Sequence, residues 1–270
     1  KKETIAYKYL KKRGITDDAL KIFNIGYAPD HKNLLKYLDS EGFSFDEIKK
    51  TDLLIKNTKG EFFGRFSNRI TFPIYNFSND IVGFGARTIQ DSKIKYINSQ
   101  ESLVFKKSQL LYGLKENLEH IRSEKEIFLV EGYMDVIKLY CSGIKNVVST
   151  LGTTLSEMQL KKMWNFSDTP YICFDGDDAG QIASKKIAEK VLKFLLPGKS
   201  LKFVLIPENL DPDSFLHNKN KDDFLDLKKK AKDLSMIIWE NIENSINNDT
   251  PESIALIDNK INDIVKKIDD

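Results

Sequence analysis

The stretch YICFDGDDAG, residues 171–180, decides how this chain is read. Its first four residues are an apolar run of the kind that forms a strand buried on both faces. The run passes directly into Asp175, Asp177 and Asp178, set beside Gly176 and Gly180. Carboxylates gathered at the end of a buried strand repel one another, and the neighbouring core offers them no solvation. Either these acids serve local helix and turn geometry, or a cation holds them.

Working outward, the same strand-then-helix grammar repeats from residue 125 to about residue 207. EIFLV precedes YMDVIKLY, NVVST precedes LSEMQLKKMW, YICF precedes AGQIASKKIAEKVLKFL, and LKFVLIP closes the series. Short runs rich in Ile, Val and Phe, alternating with longer helical stretches, predict a parallel sheet covered on both faces. Right-handed crossovers then bring every strand's carboxyl end to one edge, where open α/β sheets carry their sites. Past those ends stand Glu131, then Asp175 and Asp177, then Asp211 and Asp213.

Each acid has an ordinary reading. Asp178 suits a helix N-cap with Gln181 in the capping-box position. Asp211 and Asp213 around Pro212 suit a turn, and Asp135, one turn into a helix, suits a surface. Convergence is harder to explain that way, because no Lys or Arg occupies the same loops. Asp175 and Asp177, two apart in an extended segment, point to the same side, and Gly176 lets the backbone approach closely. Oxygen ligands in that pattern suit Mg²⁺, which keeps several waters and takes one or two carboxylates plus substrate phosphates. Two ions, held by Glu131, Asp175 and Asp177 on one side and Asp211 and Asp213 on the other, would clamp an in-line displacement at phosphorus.

Composition narrows the alternatives. The 270 residues, 41% of them hydrophobic, can build a substantial core and two or three domains. With 42 Lys and Arg against 40 Asp and Glu, any affinity for nucleic acid must come from local clustering. Cys141 and Cys173, with His31, His120 and His217 scattered, build neither a zinc ribbon nor a disulfide framework. No zinc is expected in this chain, and a reducing cytoplasm is. No stretch approaches the roughly 20 apolar residues of a membrane span, so no membrane partner is expected. The sequence starts without an initiator Met and is expected to be a piece of something longer.

The first 60 residues read as small helices: AYKYLKKRG, TDDALKIF with Thr16 as N-cap, HKNLLKYLDSEG and FDEIKK. From residue 62 to 113 the period changes, and RITFPIYNF and DIVGFGARTI, joined at Ser78-Asn79-Asp80, predict a β-hairpin. That stretch holds seven basic residues against three acidic ones, interleaved with aromatic residues. Cations for phosphates and flat rings for unpaired bases suit a single-stranded nucleic acid. Taken alone, the stretch reads first as strands with a solvated face and a buried aromatic face. Beyond Asp222 the pattern is helical and amphipathic, predicting a small terminal bundle.

These residues together carry a family resemblance. EGYMDV (131–136), STLGTTLS (149–156), FDGDDAG (174–180) and LDPDSF (210–215) resemble the Toprim core. RFSNRITFPI (65–74), VGFGAR (82–87), KYINS (95–99) and FKKSQLLYG (105–113) resemble, in order and spacing, the polymerase domain of bacterial DnaG-type primases. KKRGITDDALKIFNIGYAP (11–29) is similar to the start of that domain. Toprim motifs are shared with topoisomerases and small nucleases, and the basic block singles out primase.

The resemblance implies an α/β chain, α+β overall, in three parts. These are a mixed basic amino-terminal α+β subdomain (1–113), a Toprim parallel sheet with flanking helices (114–220) and a carboxy-terminal helical bundle (221–270). It implies synthesis of short RNA primers on a single-stranded DNA template from nucleoside triphosphates, leaving an RNA–DNA hybrid. Glu131 would be a metal ligand or acid/base group, Asp175 and Asp177 metal ligands, and Asp211 and Asp213 part of the same Mg²⁺ or Mn²⁺ site, with Asp135 beside them. Arg69, Arg87, Lys95 and Lys107 would form a basic ridge for template or triphosphate, with Asn98 nearby and Arg13 a weaker candidate. A zinc-binding module and a domain that meets the replicative helicase, both known in the family, are absent from this sequence, and the chain alone is expected to be monomeric. A Toprim nuclease or topoisomerase would use the same acids to break phosphodiester bonds, although a topoisomerase needs a nucleophilic Tyr on a separate domain. A binder without catalysis would have kept only the ridge, and the full set of acids argues against it.

Overall fold

A computed structural model describes residues 4–51, 53–56, 59–207, 210–244 and 250–268. The chain divides into two compact units, residues 1–110 and 111–270.

The first unit opens with α1 (Ile5–Lys12) and α2 (Asp17–Ile22), followed by β1 (Gly26–Ala28), α3 (His31–Ser40) and α4 (Phe45–Lys50). A ribbon of β2 (Leu54–Lys56) and β3 (Phe62–Gly64) precedes β4 (Arg69–Tyr75), β5 (Ile81–Thr88) and β6 (Tyr96–Asn98). Thr16 caps α2 as expected, its hydroxyl oxygen accepting the Ala19 N–H at 3.2 Å. The sheet runs β1-β4-β5-β6, antiparallel throughout. Its centre is the anticipated hairpin, turned at Asn79, whose φ of 65° is the left-handed conformation that Asn tolerates. Ile70, Phe72 and Ile74 alternate along β4 onto one buried face, and Ile15, Ala19 and Phe23 are buried in the same unit.

The second unit carries α5 (Leu114–Glu124), β7 (Phe128–Val130), α6 (Tyr133–Cys141), β8 (Val147–Ser149), α7 (Glu157–Trp164), β9 (Tyr171–Phe174), α8 (Asp178–Val191) and β10 (Lys202–Leu205). Then come α9 (Pro212–Asn218), α10 (Lys221–Lys229), β11 (Lys232–Asp233), α11 (Leu234–Glu243) and α12 (Pro251–Val265). The sheet order is β11-β10-β9-β7-β8. The strands β10, β9, β7 and β8 are parallel, and the short β11 adds an antiparallel edge. Leu129, Val148, Ile172 and Phe203 form its apolar centre with Leu160 and Trp164 from α7, Ile187 and Val191 from α8, and Ile237 and Ile242 from α11. The terminal helices therefore contribute to the core of the sheet itself. Among the described residues no helix is long and apolar enough to cross a membrane.

Candidate active site

The strand order sets the site. β7, β9 and β10 are neighbours, so the loops that follow them leave the sheet side by side. Main-chain bonds tie the last two together: Ile206 donates to the Phe174 carbonyl at 3.2 Å, and Gly176 donates to the Leu210 carbonyl at 3.0 Å. Asp211 is thereby brought next to the Asp175 loop. Glu131, directly after β7, accepts a hydrogen bond from the main chain of Asp175.

Three of the acids are aimed by the starts of helices. Asp177 is the N-cap of α8, its Oδ1 accepting the Gly180 N–H at 2.7 Å. Asp211 is the N-cap of α9, its Oδ1 accepting the Ser214 N–H at 2.6 Å with Pro212 at the first helical position. Asp135 closes back on the start of α6, its Oδ2 accepting the Gly132 N–H at 3.0 Å. The expectation that Asp178 caps α8 is corrected: the helix begins one residue earlier because Asp177 takes the extended conformation of a cap, and Asp178 is its first residue. DPD is the start of α9 rather than a free turn, and Asp135 is 9% exposed rather than on the surface. Asp213 is likewise buried, in the first turn of α9.

The charges act on one another. Burial raises the Asp175 carboxyl to about 7, and Glu131, Asp211 and Asp177 add to that rise. Desolvation followed by Asp177 raises Glu131, opposed in part by its bond from Asp175 and reinforced by Asp211. Asp135 is pushed well above the ordinary carboxylate range by burial, then by Asp211, Asp175 and Asp213. One oxygen of Asp175, Oδ1, is buried with no hydrogen-bond partner. Among the described residues no group of three or more His, Cys, Asp or Glu side chains is arranged to hold a metal ion by itself. Beside the acids an apolar pocket of about 560 Å³ lies between α8 and residues 150–155, with Glu131 in its wall.

In the first unit the predicted basic residues do not form a single row. The β4–β5 register pairs Ile70 with Arg87 and Arg69 with Thr88, so the two arginines leave opposite faces of the sheet. Arg87 shares its face with Tyr96, its partner on β6, and with Asn98 two residues on. Arg87 donates to the Tyr96 hydroxyl and stands 5.0 Å from that ring and 5.5 Å from the ring of Tyr9. Arg69 instead donates to the main-chain oxygens of Ile94, at 3.2 Å, and Lys95, at 3.1 Å. Lys95 is exposed at the start of β6, and Lys107 lies in the short helical turn Lys107–Gln109, where its N–H meets Glu101. Tyr9 and Gly180 were not singled out by sequence reasoning; the spacing of Tyr9 and Arg13, four apart on one helical turn, was the available signal for the first.

A parallel sheet with acids past three adjacent strand ends is the Toprim-like arrangement. Residues 128–216 match the Toprim-like family, and residues 1–118 match the amino-terminal domain of the DNA primase catalytic core. The chain is 37% identical to a DNA primase from Rickettsia felis over 262 residues, which cover 97% of this chain and 44% of that protein. It is 42% identical to a DNA primase from Pseudomonas aeruginosa over 81% of this chain and 33% of that protein. Among solved structures, a DNA primase domain from Pseudomonas aeruginosa superimposes with a TM-score of 0.90 at 37% identity, covering 98% of this chain and 84% of the other. A DnaG primase catalytic domain bound to single-stranded DNA superimposes with a TM-score of 0.89 at 28% identity, covering 99% and 88%. The chain belongs to the DnaG-type primase catalytic-core family. It spans less than half the length of these two curated relatives.

Proposed function

We propose that this chain is the catalytic core of a DnaG-type primase and joins ribonucleotides from nucleoside triphosphates into short RNA primers on single-stranded DNA. The observation that carries this reading is the convergence of Glu131, Asp175, Asp177 and Asp211 past neighbouring strands, each raising the charge cost of another. A hard divalent ion, Mg²⁺ or Mn²⁺, suits an all-oxygen donor set and the unpartnered Oδ1 of Asp175. Because no three of the described acids enclose a site, the fit is to an ion that takes one or two carboxylates and completes its shell with nucleotide phosphates and water. When bound, such an ion neutralises phosphate charge and makes a hydroxyl a better nucleophile.

The chain's own residues do the positioning. The capping bonds of Asp177 and Asp211 fix one oxygen of each and leave the other for the ligand. The Asp175 main chain orients Glu131, and Asp135 and Asp213 are more deeply buried than Glu131, Asp175, Asp177 and Asp211. In the first unit Arg87, Lys95, Asn98 and Lys107 supply contacts for template or triphosphate. We assign template binding to residues 1–113, catalysis to 114–220 and a helical accessory role to 221–270, with an RNA–DNA hybrid as product and the replicative helicase as a partner of the longer protein.

Incorporation of labelled ribonucleotides on a single-stranded template in Mg²⁺ tests this. Short RNA products are expected from the wild type. Asp175→Asn should lose most synthesis and keep template binding, because a neutral amide leaves the ion and the reacting phosphate less screened. Nicking of supercoiled DNA without synthesis would instead indicate a Toprim nuclease.

A further inference from the structure

The stretch STLGTTLS, residues 149–156, carries no acid, yet it sits at the acidic edge. It follows β8, and β8 pairs with β7, so this loop leaves the sheet next to Glu131. Both of its ends are fixed. Ser149 exchanges main-chain bonds with Tyr112 at 3.0 and 2.9 Å, and Ser156 caps α7, its hydroxyl accepting the Gln159 N–H at 3.1 Å. Between these ends Thr150, Leu151 and Leu155 are buried, while the tip, Gly152-Thr153-Thr154, is exposed. The tip turns at Gly152, whose φ of 73° favours glycine. Thr153 and Thr154 share the wall of the apolar pocket with Glu131, and neither hydroxyl is engaged among the described residues.

The tip is fastened from the far end of α8. The Lys190 ammonium, in the last turn of that helix, donates to the Leu155 carbonyl at 2.7 Å, a bond between residues 35 apart in sequence. The pocket keeps the loop away from Ile182 and Ala183 in the middle of α8, so packing there does not hold the tip. A charge-assisted bond at Leu155 then carries more of the restraint. The helix acts as a strut between two loops of the site. Its first turn is bonded to Asp177 through the Gly180 N–H, and its last turn, about 15 Å further along the axis, holds residues 150–155.

We propose that Lys190 is a positioning residue for primer synthesis, latching the 150–155 loop so that the Thr153 and Thr154 hydroxyls meet a phosphate of the nucleoside triphosphate held at the acids. This rests on the reading that the acids take the triphosphate through a divalent ion. Hydroxyls suit the position because they donate to phosphate oxygens without bringing a charge that would compete with the ion for the carboxylates. Lys190 acts only through the loop. A tip ordered before the nucleotide arrives lowers the ordering cost of binding. The contact is made in the bound nucleotide and in the transition state alike, so losing it raises KM and leaves kcat unchanged.

Primer synthesis over a series of nucleoside triphosphate concentrations, paired with amide exchange over residues 150–155, tests the proposal. Lys190→Met keeps the apolar stem and loses the ammonium. It should raise the KM for nucleotide about three- to tenfold, the value of one hydrogen bond, with kcat near wild type and faster exchange at residues 152–154. Lys190→Arg restores a donor and should behave like wild type. Thr153→Val/Thr154→Val should raise KM by a similar factor, and Lys190→Met added to that pair should cost little more. An unchanged KM in Lys190→Met, or a full further rise in the Thr153→Val/Thr154→Val background, overturns the proposal. A fall in kcat with a lowered thermal midpoint that Lys190→Arg does not rescue makes Lys190 a structural residue and overturns it too. Should Lys190→Met fold poorly, a wild-type KM in Thr153→Val/Thr154→Val has the same force. A wild type that makes no primer would overturn the primase reading and not the latch, which amide exchange decides without substrate: equal exchange in Lys190→Met and wild type would sink it.

Discussion

The main-chain oxygen of Asp175 occupies the space where a side chain at Gly180 would begin: a Cβ there would stand 2.1 Å from that oxygen and 2.9 Å from its carbonyl carbon. The acidic loop and the first turn of α8 are packed backbone against backbone. Gly180 also donates to the Asp177 carboxylate, so one residue fixes both acids of DGD.

Gly180→Ala should therefore push the Asp175 loop away from the helix. Overpacking of this kind costs about 1–3 kcal/mol, and thermal melting should show a lowered midpoint. Primer synthesis should fall much further than stability, with single-stranded DNA binding retained. Near wild-type synthesis by this variant would mean that the loop geometry is not needed for the chemistry.

Asp177 serves both as a helix cap and as a proposed ligand, and two substitutions separate these uses. Asn caps about as well as Asp, so Asp177→Asn should melt close to wild type and lose most synthesis. Asp177→Ala should lose synthesis and in addition about 1 kcal/mol of stability with the cap. If the Asn variant synthesises normally and the Ala variant does not, the role of Asp177 is the cap alone.

Arg69 spends its guanidinium on the Ile94 and Lys95 carbonyls and, through them, pins the loop that carries Lys93 and Lys95. Arg69→Ala should weaken single-stranded DNA binding and speed amide exchange over residues 89–95. In a Lys93→Ala/Lys95→Ala background the same substitution should have little further effect on affinity or salt slope. A full additional loss of roughly 0.7 in the slope there would identify Arg69 as a direct phosphate contact.

Glu116, in the first turn of α5, has a buried Oε1 without a hydrogen-bond partner, and burial raises its carboxyl from 4.5 to about 7. Between those two values the unfolded chain is ionised there while the folded chain keeps its proton. The folded state then binds more protons, so stability falls as pH rises through this window and levels off above it. The loss is on the order of 3 kcal/mol. Glu116→Gln should remove this part of the pH dependence in thermal or urea unfolding, and an unchanged slope between pH 5 and 7 would refute the assignment.

The parallel sheet was legible because its strands are apolar runs separated by long amphipathic helices, and the hairpin because Ser78-Asn79-Asp80 interrupts two alternating runs. The shortest strands were not read: β1, β2, β3 and β6 are three residues each and β11 two, too short for a period to register. The acids were legible as a set, but which of them caps a helix depends on one residue of backbone conformation, and Asp178 was preferred over Asp177 for that reason. Register separates Arg69 from Arg87, and composition carries no register. Tyr9 was missed because its partner Arg87 lies on a different element and only the fold brings them together.

The converging acids can be tested without any substrate by thermal melting in the presence of Mn²⁺ or Mg²⁺ against matched NaCl. An ion that binds only the folded arrangement stabilises it by about 2.7 kcal/mol at a hundredfold excess over its dissociation constant. Mn²⁺ at concentrations that support synthesis should raise the wild-type midpoint well beyond NaCl. Asp175→Asn should start from a higher metal-free midpoint, having lost a repelling charge, and respond less to Mn²⁺, having lost a ligand. A wild-type midpoint that Mn²⁺ leaves where NaCl leaves it would contradict divalent-metal binding among the acids that follow β7, β9 and β10.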